Sequence, residues 1–202
     1  MTPPLMKLPQ EFEKERIQEI IREVLEDRYI KLCFGNNYCI SEDIQKKTTC
    51  IDYSLLFTLK DHSKIIPMSG EGSGPVDALF NSLRSTYLDE YKFLRELLFV
   101  EFKADANTGL VKRLRSAAPV NAVLIVQIQN KRELAFRKES MSINQCALDV
   151  VMQCFEHFVN AEQAIKTIRE TMKDSRKRNR GDIYEKSLLR LSKITQSSCS
   201  DL

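Results

Sequence analysis

The sequence predicts an α+β fold made of two sheet-plus-helix pseudo-repeats, with extra helices at the N- and C-terminal ends. Residues 50–85 have the pattern of a strand, a polar turn, a second strand, a glycine-rich loop and a helix. Residues 120–173 repeat that order, and amphipathic helical spacing occurs before residue 28 and after residue 180. Two such units can bury a common core that neither could bury alone.

The two halves also align with each other along the sequence. Residues 55–79 match residues 124–148 without a gap, at an offset of 69 positions. Few of the matched residues are identical, so the argument for a repeat depends on the shared order and pattern of elements. The matched pairs are Leu55 with Leu124, Leu59 with Ile128, Ser73 with Ser142, Ala78 with Ala147, and Leu79 with Leu148. The repeat predicts the same topology for both halves.

The first half is predicted to begin with an amphipathic helix over Gln10–Asp27. A short strand follows at Tyr29–Phe34 and is expected to end at Gly35-Asn36-Asn37. The clearest strand is Cys50–Lys60, with one apolar face formed by Ile51, Tyr53, Leu55, Phe57 and Leu59. Its hairpin partner is Lys64–Ser69, across an Asp61-His62-Ser63 turn, and a helix then runs from Pro75 to about Ser85.

The second half is predicted to begin with a helical stretch at Leu88–Leu98, either separate from the first helix or continuing it. The predicted strands are Leu97–Ala104, Val120–Gln129 and Glu133–Lys138, with an Asn107-Thr108-Gly109 turn and a basic loop at Lys112–Ser116 between the first two. A long helix from about Ile143 to Lys173 has a core face of Ala147, Val150, Val151, Cys154, Phe155, Phe158 and Val159. Lys173–Arg180 is expected to be a linker or an exposed helix end, before a last helix at Ile183–Ile194.

These elements divide the chain into three parts. Residues 1–28 are expected to form a proline-rich leader and an amphipathic helix. Residues 29–172 form the α+β domain, whose halves are about 29–90 and 91–172. Residues 173–202 form a basic linker and a helical tail.

Composition narrows the classes of function. The chain has 202 residues and a formal net charge of +3, which is too small to indicate nucleic-acid binding by itself. No run approaches the ~20 apolar residues of a membrane span, and the opening residues contain no hydrophobic signal segment. Six cysteines without such a signal indicate reduced thiols, so a cytoplasmic protein is expected.

The histidines and the basic run near the C-terminus suggest no chemistry by their spacing. His62 is interpreted as a turn residue and His157 as a residue on the polar face of a helix; neither has zinc-ligand spacing to the cysteines, so no metal and no cofactor are predicted. The run Arg176–Arg180 either contacts nucleic acid or an acidic surface, or is a solvated tail. Because no aromatic residues interleave with it, the solvated tail is favoured.

The stretch Ser69–Phe80 carries the most information about function. Gly70, Gly72 and Gly74 alternate in it, which lets the backbone approach another group without an intervening Cβ. Pro75 suits the first helical turn, and Asp77 suits the positive end of the helix dipole. Free N–H groups at such a helix start can bind a carboxylate or phosphate, although neither the Rossmann nor the P-loop spacing is present. A structural tight turn is the alternative explanation of the glycines.

The segment Gly72-Ser73-Gly74-Pro75-Val76-Asp77-Ala78 resembles the Gly-x-Gly-Pro-Val-Asp-Ala signature of a known family. The family is the C-terminal regulatory domain of α-isopropylmalate synthase and citramalate synthase, and the resemblance covers roughly residues 30–165. It implies a domain of two related halves that dimerises and binds a branched-chain amino acid as feedback inhibitor. The implied ligand-binding residues are Gly72, Gly74, Pro75, Val76, Asp77 and Ala78.

The chain also departs from that family in two respects. The family's catalytic barrel, of ~250 residues with metal-binding histidines, has no counterpart here, so either a free-standing relative or a fragment is expected. In the second half, Arg137–Asn144 replaces the small residues and glycine-rich turn of the family's related loop. Ser116–Ala122 replaces the family's Gly-Thr-Asp-Ala-like segment before the second-half strand. Half of an amino-acid pocket shared between halves or subunits would therefore have changed.

Three hypotheses of function follow. The first is a non-catalytic ligand-sensing and dimerisation module, in which Gly72 and Gly74 admit a ligand carboxylate and Val76, Leu79 and Ile66 receive its aliphatic side chain. The second is a protein-interaction adaptor that kept the fold but lost the small-molecule site, acting through the N-terminal helix and basic tail. The third is an unrecognised enzyme, which is not expected because no acid, base and nucleophile converge, and no catalytic residue is assigned. The sensor requires a concave pocket beside Gly72–Gly74, whereas the adaptor requires that space to be filled.

Overall fold

The computed structural model describes residues 9–106, 120–128 and 133–198, without the side chains of residues 9–13, 36, 106 and 196–198. The helices are α1 (Pro9–Leu25), α2 (Pro75–Tyr87), α3 (Ile143–Lys177) and α4 (Gly181–Ser198). The strands are β1 (Ile30–Asp43), β2 (Thr48–Leu59), β3 (His62–Gly72), β4 (Leu98–Ala106), β5 (Val120–Gln127) and β6 (Glu133–Ser140). The Asn107-Thr108-Gly109 turn and the Lys112–Ser116 loop lie outside the described residues.

The strands form two antiparallel sheets, each followed in the chain by a helix. Sheet A has the order β1-β2-β3 and sheet B the order β4-β5-β6, with α2 after the first and α3 after the second. The predicted α+β fold of two sheet-plus-helix pseudo-repeats is therefore confirmed. By contacts the chain forms two compact units, one of residues 30–159 and one of the segments before and after it.

The gapless alignment of the two halves is wrong by one residue where it compares β3 of sheet A with β6 of sheet B. Leu55 pairs with Ile66 in sheet A, whereas Leu124 pairs with Phe136 in sheet B. An offset of 69 would have placed Ala135 opposite Leu124, so the second connection holds one more residue between the paired positions. Side chains alternate between the two faces of a strand, so an alignment that is wrong by one residue assigns every side chain of β6 to the wrong face.

Strand β2 has the alternating burial that its sequence predicts. Ile51, Tyr53 and Leu55 are at most 5% exposed, whereas Leu59 at the hairpin end is 36% exposed. Strand β1 differs from the prediction, because it does not end at Gly35-Asn36-Asn37. Its register shifts between Phe34 and Tyr38, and pairing with β2 then continues to Asp43. The segment is thus a bulge within the strand, which is the other common use of glycine there.

The hairpin between β2 and β3 is tighter than predicted. Leu59 pairs with His62, so the turn consists of Lys60 and Asp61 alone. Lys60 takes the left-handed conformation that such a turn requires, with φ of 54°. His62 begins β3 and is exposed, so its interpretation as a turn residue is wrong by one position.

The predicted helix at Leu88–Leu98 is wrong. Helix α2 ends at Tyr87, and a single 3₁₀ turn spans Lys92–Arg95. The guanidinium of Arg95 donates to the carbonyl of Leu88 (3.2 Å), so a side chain from beyond the end satisfies a carbonyl there. No glycine or proline marks this end in the sequence, which is why periodicity alone extended the helix.

Helix α3 buries its predicted core face, and it also buries polar residues. Cys154, Phe155 and Phe158 are fully buried. The four other residues predicted for this face are at most 7% exposed. His157 is only 5% exposed and its ring lies 5.6 Å from that of Phe136, so its placement on a polar face was wrong. The helix is covered on more than one side, which an amphipathic pattern does not predict.

The terminal helices form the second unit. Ile17, Ile21 and Leu25 of α1 are buried, α1 packs against α4, and Arg190 of α4 pairs with Glu23 of α1 at 2.7 Å. Helix α3 continues to Lys177, so of the two alternatives predicted for Lys173–Arg180 the exposed helix end is confirmed and the linker is not.

A left-handed residue ends α3 just before α4 begins. Asn179 has φ of 55°, and the N–H of Arg180 donates to the carbonyl of Ser175 (2.9 Å), a Schellman-type helix end. The break between α3 and α4 therefore depends on this backbone geometry rather than on a flexible linker.

Candidate functional site

The candidate site is the junction between β3 and α2, where the glycine-rich stretch lies. Gly70 and Gly72 belong to β3, so only Ser73 and Gly74 connect the strand to the helix. The predicted glycine loop is therefore mostly strand. Because Gly70 and Gly72 are two positions apart, they share one face of the strand.

That face of β3 is in close contact with α2. A Cβ added at Gly70 would lie 2.3 Å from the carbonyl oxygen of Ala78 and 2.6 Å from Cβ of Ser82. At Gly72 it would lie 2.4 Å from the backbone nitrogen of Ala78 and 2.8 Å from a carboxylate oxygen of Asp77. These two glycines allow the helix to approach the strand, which is a packing role. The space beside Gly72 is filled by the protein itself.

Gly74 is different from the two strand glycines. A Cβ added there would meet no described atom within 4 Å. Its φ of −162° and ψ of 173° are extended values that any residue adopts. Gly74 caps the N-terminus of α2 without a side-chain hydrogen bond from the described residues, and its carbonyl accepts from the N–H of Ala78 (2.8 Å). The open position in the stretch is therefore Gly74 and not Gly72.

The first turn of α2 holds a carboxylate in place. An oxygen of Asp77 accepts from the backbone N–H of Ser73 (2.9 Å) and from its hydroxyl (3.1 Å). Pro75 has no N–H, and Pro75, Val76 and Asp77 are all partly exposed. The N–H groups of Val76 and Asp77 stand in the first turn, where the helix makes no bonds to them. A positive helix end and a fixed carboxylate thus lie side by side.

The other predicted site residues are less accessible. Ala78 is fully buried, and so is Leu79, which had been expected to contact an aliphatic ligand. Val76 and Ile66 are partly buried and pack against the core. Ile66 lies six strand positions before Gly72, roughly 20 Å along β3, so its predicted contact with a ligand at the start of α2 is wrong and Val76 is the apolar neighbour there. Of the six predicted ligand-binding residues, Ala78 is buried and the other five are partly exposed, but the position beside Gly72 is occupied by α2.

Three residues that sequence reasoning missed hold the junction together. The hydroxyl of Ser82 donates to the carbonyl of Ser69 (2.7 Å), and its oxygen lies 3.1 Å from the hydroxyl of Tyr53. Since Ser82 has one proton, Tyr53 is the donor in the second bond. Burial raises the pKa of Tyr53, although the bond to Ser82 acts in the opposite direction. The only sequence signal for this network is the alternation of Tyr53 with its apolar neighbours.

An open depression of about 510 Å³ lies on sheet A. Cys39, Asp52 and Ser69 line it in register across the three strands, together with Ser54 and Pro67. Among the described residues that line it, Asp52 is the only charged one, and the depression lies beyond Ser69 rather than at Gly72–Gly74.

The basic run at the end of α3 is largely paired within the chain. Arg178 bonds to Asp174 (3.0 Å), and Arg180 bonds to Asp182 through both carboxylate oxygens (3.1 Å each). The guanidinium of Arg176 lies 4.6 Å from the ring centre of Tyr184. Arg180 also holds the pKa of Asp182 below its ordinary value. These arginines are less available to an acidic partner than the sequence indicates.

Among the described residues, no group of three or more histidine, cysteine, aspartate or glutamate side chains could hold a metal ion. None of the described helices is long and apolar enough to cross a membrane. No protein-family model matches this chain, and neither does any curated protein.

Proposed function

We propose that this protein is a non-catalytic regulatory module that binds a small aliphatic amino acid at the N-terminal end of α2 and acts as a homodimer. The observation that carries the proposal is the open start of α2, where the N-cap residue Gly74 supplies no side-chain hydrogen bond. The two pseudo-repeats and the resemblance of Gly72–Ala78 to the synthase regulatory domain add support from the sequence.

The chemistry of this helix end fits a zwitterion. The ligand carboxylate takes the N–H groups of Val76 and Asp77, which the helix leaves without partners of its own. The ligand ammonium takes the Asp77 carboxylate, of which one oxygen is already engaged with Ser73. An aliphatic side chain then lies against the exposed part of Val76. A carboxylate ligand alone would be repelled by Asp77, so the ammonium is part of the recognition.

The test is a calorimetric titration of the purified protein with leucine, isoleucine and valine, with alanine as the short-chain comparison. A Cβ at Gly74 meets no described atom within 4 Å, so Gly74→Val leaves the fold intact and blocks the ligand. Gly181 also stands at a helix start with open space, so Gly181→Val is the matched control. We expect saturable heat with one branched amino acid, lost in Gly74→Val and kept in Gly181→Val.

The contrary result is equally informative. No heat with any of the four amino acids, from a folded protein, would remove the ligand from the proposal. Equal loss in both variants would assign the heat to something other than the α2 end.

A protein-interaction adaptor is the second candidate. The observation that favours it is the packing of α2 against Gly70 and Gly72, which fills the space that the sensor hypothesis had assigned to a ligand. The surfaces first assigned to the adaptor are weaker candidates, because α1 packs against α4 and the arginines after residue 175 are paired. Leu188 and Leu189 of α4, 47% and 58% exposed, form the alternative surface.

A further inference from the structure

Helix α4 has apolar side chains on two different faces. One face packs within the second unit, where Ile194 is fully buried, Ser187 is 8% exposed, and α4 contacts α1. Leu189 follows Ser187 by two residues, which is about 200° around the helix, and it is 58% exposed. Leu188 beside it is 47% exposed. A surface helix normally has one apolar stripe toward its own core, so the second apolar face indicates that α4 covers a further surface.

Two opposite charges flank Leu189 on this exposed face. Glu185 lies four residues before Leu189 and Lys193 four residues after it, and both are exposed. Residues four apart lie on the same side of a helix, so the three side chains form one row. Glu185 and Lys193 are about 12 Å apart along the axis, which is too far for them to pair within one helix. The row therefore reads acid, leucine, base from one end and the reverse from the other.

This row is complementary to a second copy of itself. If two α4 helices pack antiparallel about a two-fold axis that passes Leu189, Glu185 of each copy lies opposite Lys193 of the other. The same packing places the two Leu189 side chains together, with Leu188 of each copy beside them, and removes partly exposed leucines from water. Two-fold symmetry makes the charge contact twice. A parallel pair would instead place like charges opposite each other, which is unfavourable.

We infer that two copies of this protein associate by antiparallel packing of their α4 helices about Leu189. The occupant of the exposed leucine face is a second copy, because the charges on either side of Leu189 match themselves in this arrangement. The inference names the interface of the proposed homodimer and rests on that part of the proposed function, but it does not depend on the amino-acid site at α2.

The experiment is a charge exchange measured by sedimentation velocity over a concentration series. Lys193→Glu and Glu185→Lys each replace two opposite-charge contacts by two like-charge contacts, so each is expected to weaken the dimer about tenfold. The double variant Glu185→Lys/Lys193→Glu restores the opposite charges and is expected to return to within about threefold of the parent. Lys64→Glu, at an exposed position of β3, changes the net charge as Lys193→Glu does and is the matched control, which should leave the dimer unchanged.

The variant Leu189→Asp tests the apolar part of the same contact. It places two carboxylates together at the two-fold axis, so it is expected to weaken the dimer at least about a hundredfold. Leu189 is more than half exposed in the single chain, so the variant chain is expected to stay folded. Lys193 also interacts within its own chain, so urea denaturation of each variant is measured to separate a loss of association from a loss of folding.

Each outcome decides a different part. A parent protein that stays monomeric overturns both the homodimer and the α4 interface. A dimer that Leu189→Asp and the two single charge reversals leave unchanged overturns the α4 interface alone. Single reversals that weaken the dimer without recovery in the double variant would contradict the facing of Glu185 and Lys193. None of these outcomes depends on heat from an amino acid, so a failure of the α2 site is recognised separately by the calorimetric titration.

Discussion

Replacing Gly70 by alanine tests whether this glycine serves packing or ligand access. The added Cβ would lie 2.3 Å from the carbonyl oxygen of Ala78 and 2.6 Å from Cβ of Ser82. Ordinary contacts between such atoms are near 3.5 Å, so α2 must move roughly 1 Å away from β3. A movement of that size also breaks the bond between Ser82 and the carbonyl of Ser69, now 2.7 Å long.

The size of the effect follows from three contributions. Overpacking a closed contact costs about 1–3 kcal/mol. Loss of the Ser82 bonds to Ser69 and Tyr53 adds about 0.5–1.5 kcal/mol for each bond. Alanine restricts the unfolded chain more than glycine does, and this offsets about 0.4–1 kcal/mol of the loss of stability. We therefore expect Gly70→Ala to lower the free energy of unfolding by about 1–6 kcal/mol, with a central value of about 3 kcal/mol.

Urea denaturation followed by circular dichroism measures this change directly. Gly74→Ala is the control within the same stretch, since its Cβ meets no described atom within 4 Å. For this control, the gain from the stiffer unfolded chain and the poorer helix cap roughly cancel, to within about 0.5 kcal/mol. Equal losses of stability at Gly70 and Gly74 would refute the assignment of separate packing and access roles.

Three further predictions concern the network and the core. Ser82→Ala should lower the free energy of unfolding by about 2–3 kcal/mol, because it leaves the buried hydroxyl of Tyr53 without its acceptor. Tyr53→Phe leaves no such hydroxyl and should lower it by about 1 kcal/mol. A larger loss in Tyr53→Phe than in Ser82→Ala, measured by urea titration, would contradict the network. Burial raises the pKa of Tyr53, so the unfolded chain loses this proton first as pH rises. Stability should be unaffected by Tyr53 below pH ~10 and fall above it by up to about 1.4 kcal/mol per pH unit, with a smaller slope in Tyr53→Phe. Phe155 is fully buried, with its ring centre 5.1 Å from that of Phe80. Replacing it by alanine should lower the free energy of unfolding by about 3–5 kcal/mol. Leu189 is 58% exposed, so Leu189→Ala should lower the free energy of unfolding by less than about 0.5 kcal/mol in the same urea assay.

Much of the fold could be predicted from local patterns. The strands of the two hairpins, the core face of α3 and the repeated order of elements follow from periodicities that extend over roughly ten residues. The end of α2 at Tyr87 could not be predicted in this way, because the bond from Arg95 to the Leu88 carbonyl comes from beyond the helix. The bulge in β1 was missed because glycine and asparagine mark bulges as well as strand ends.

The candidate site shows the same division. The alternation of Gly70, Gly72 and Gly74 before a helix that begins at Pro75 can be seen in the sequence, and it located the junction. The closure of α2 over Gly70 and Gly72, which leaves Gly74 open, became visible with the packing of the strand and the helix. The same is true of His157, which stands at a polar position of an amphipathic pattern but is buried beside Phe136. The physical reason is that alternation is a property of one strand, whereas close approach and burial depend on atoms that distant parts of the chain bring to the same place.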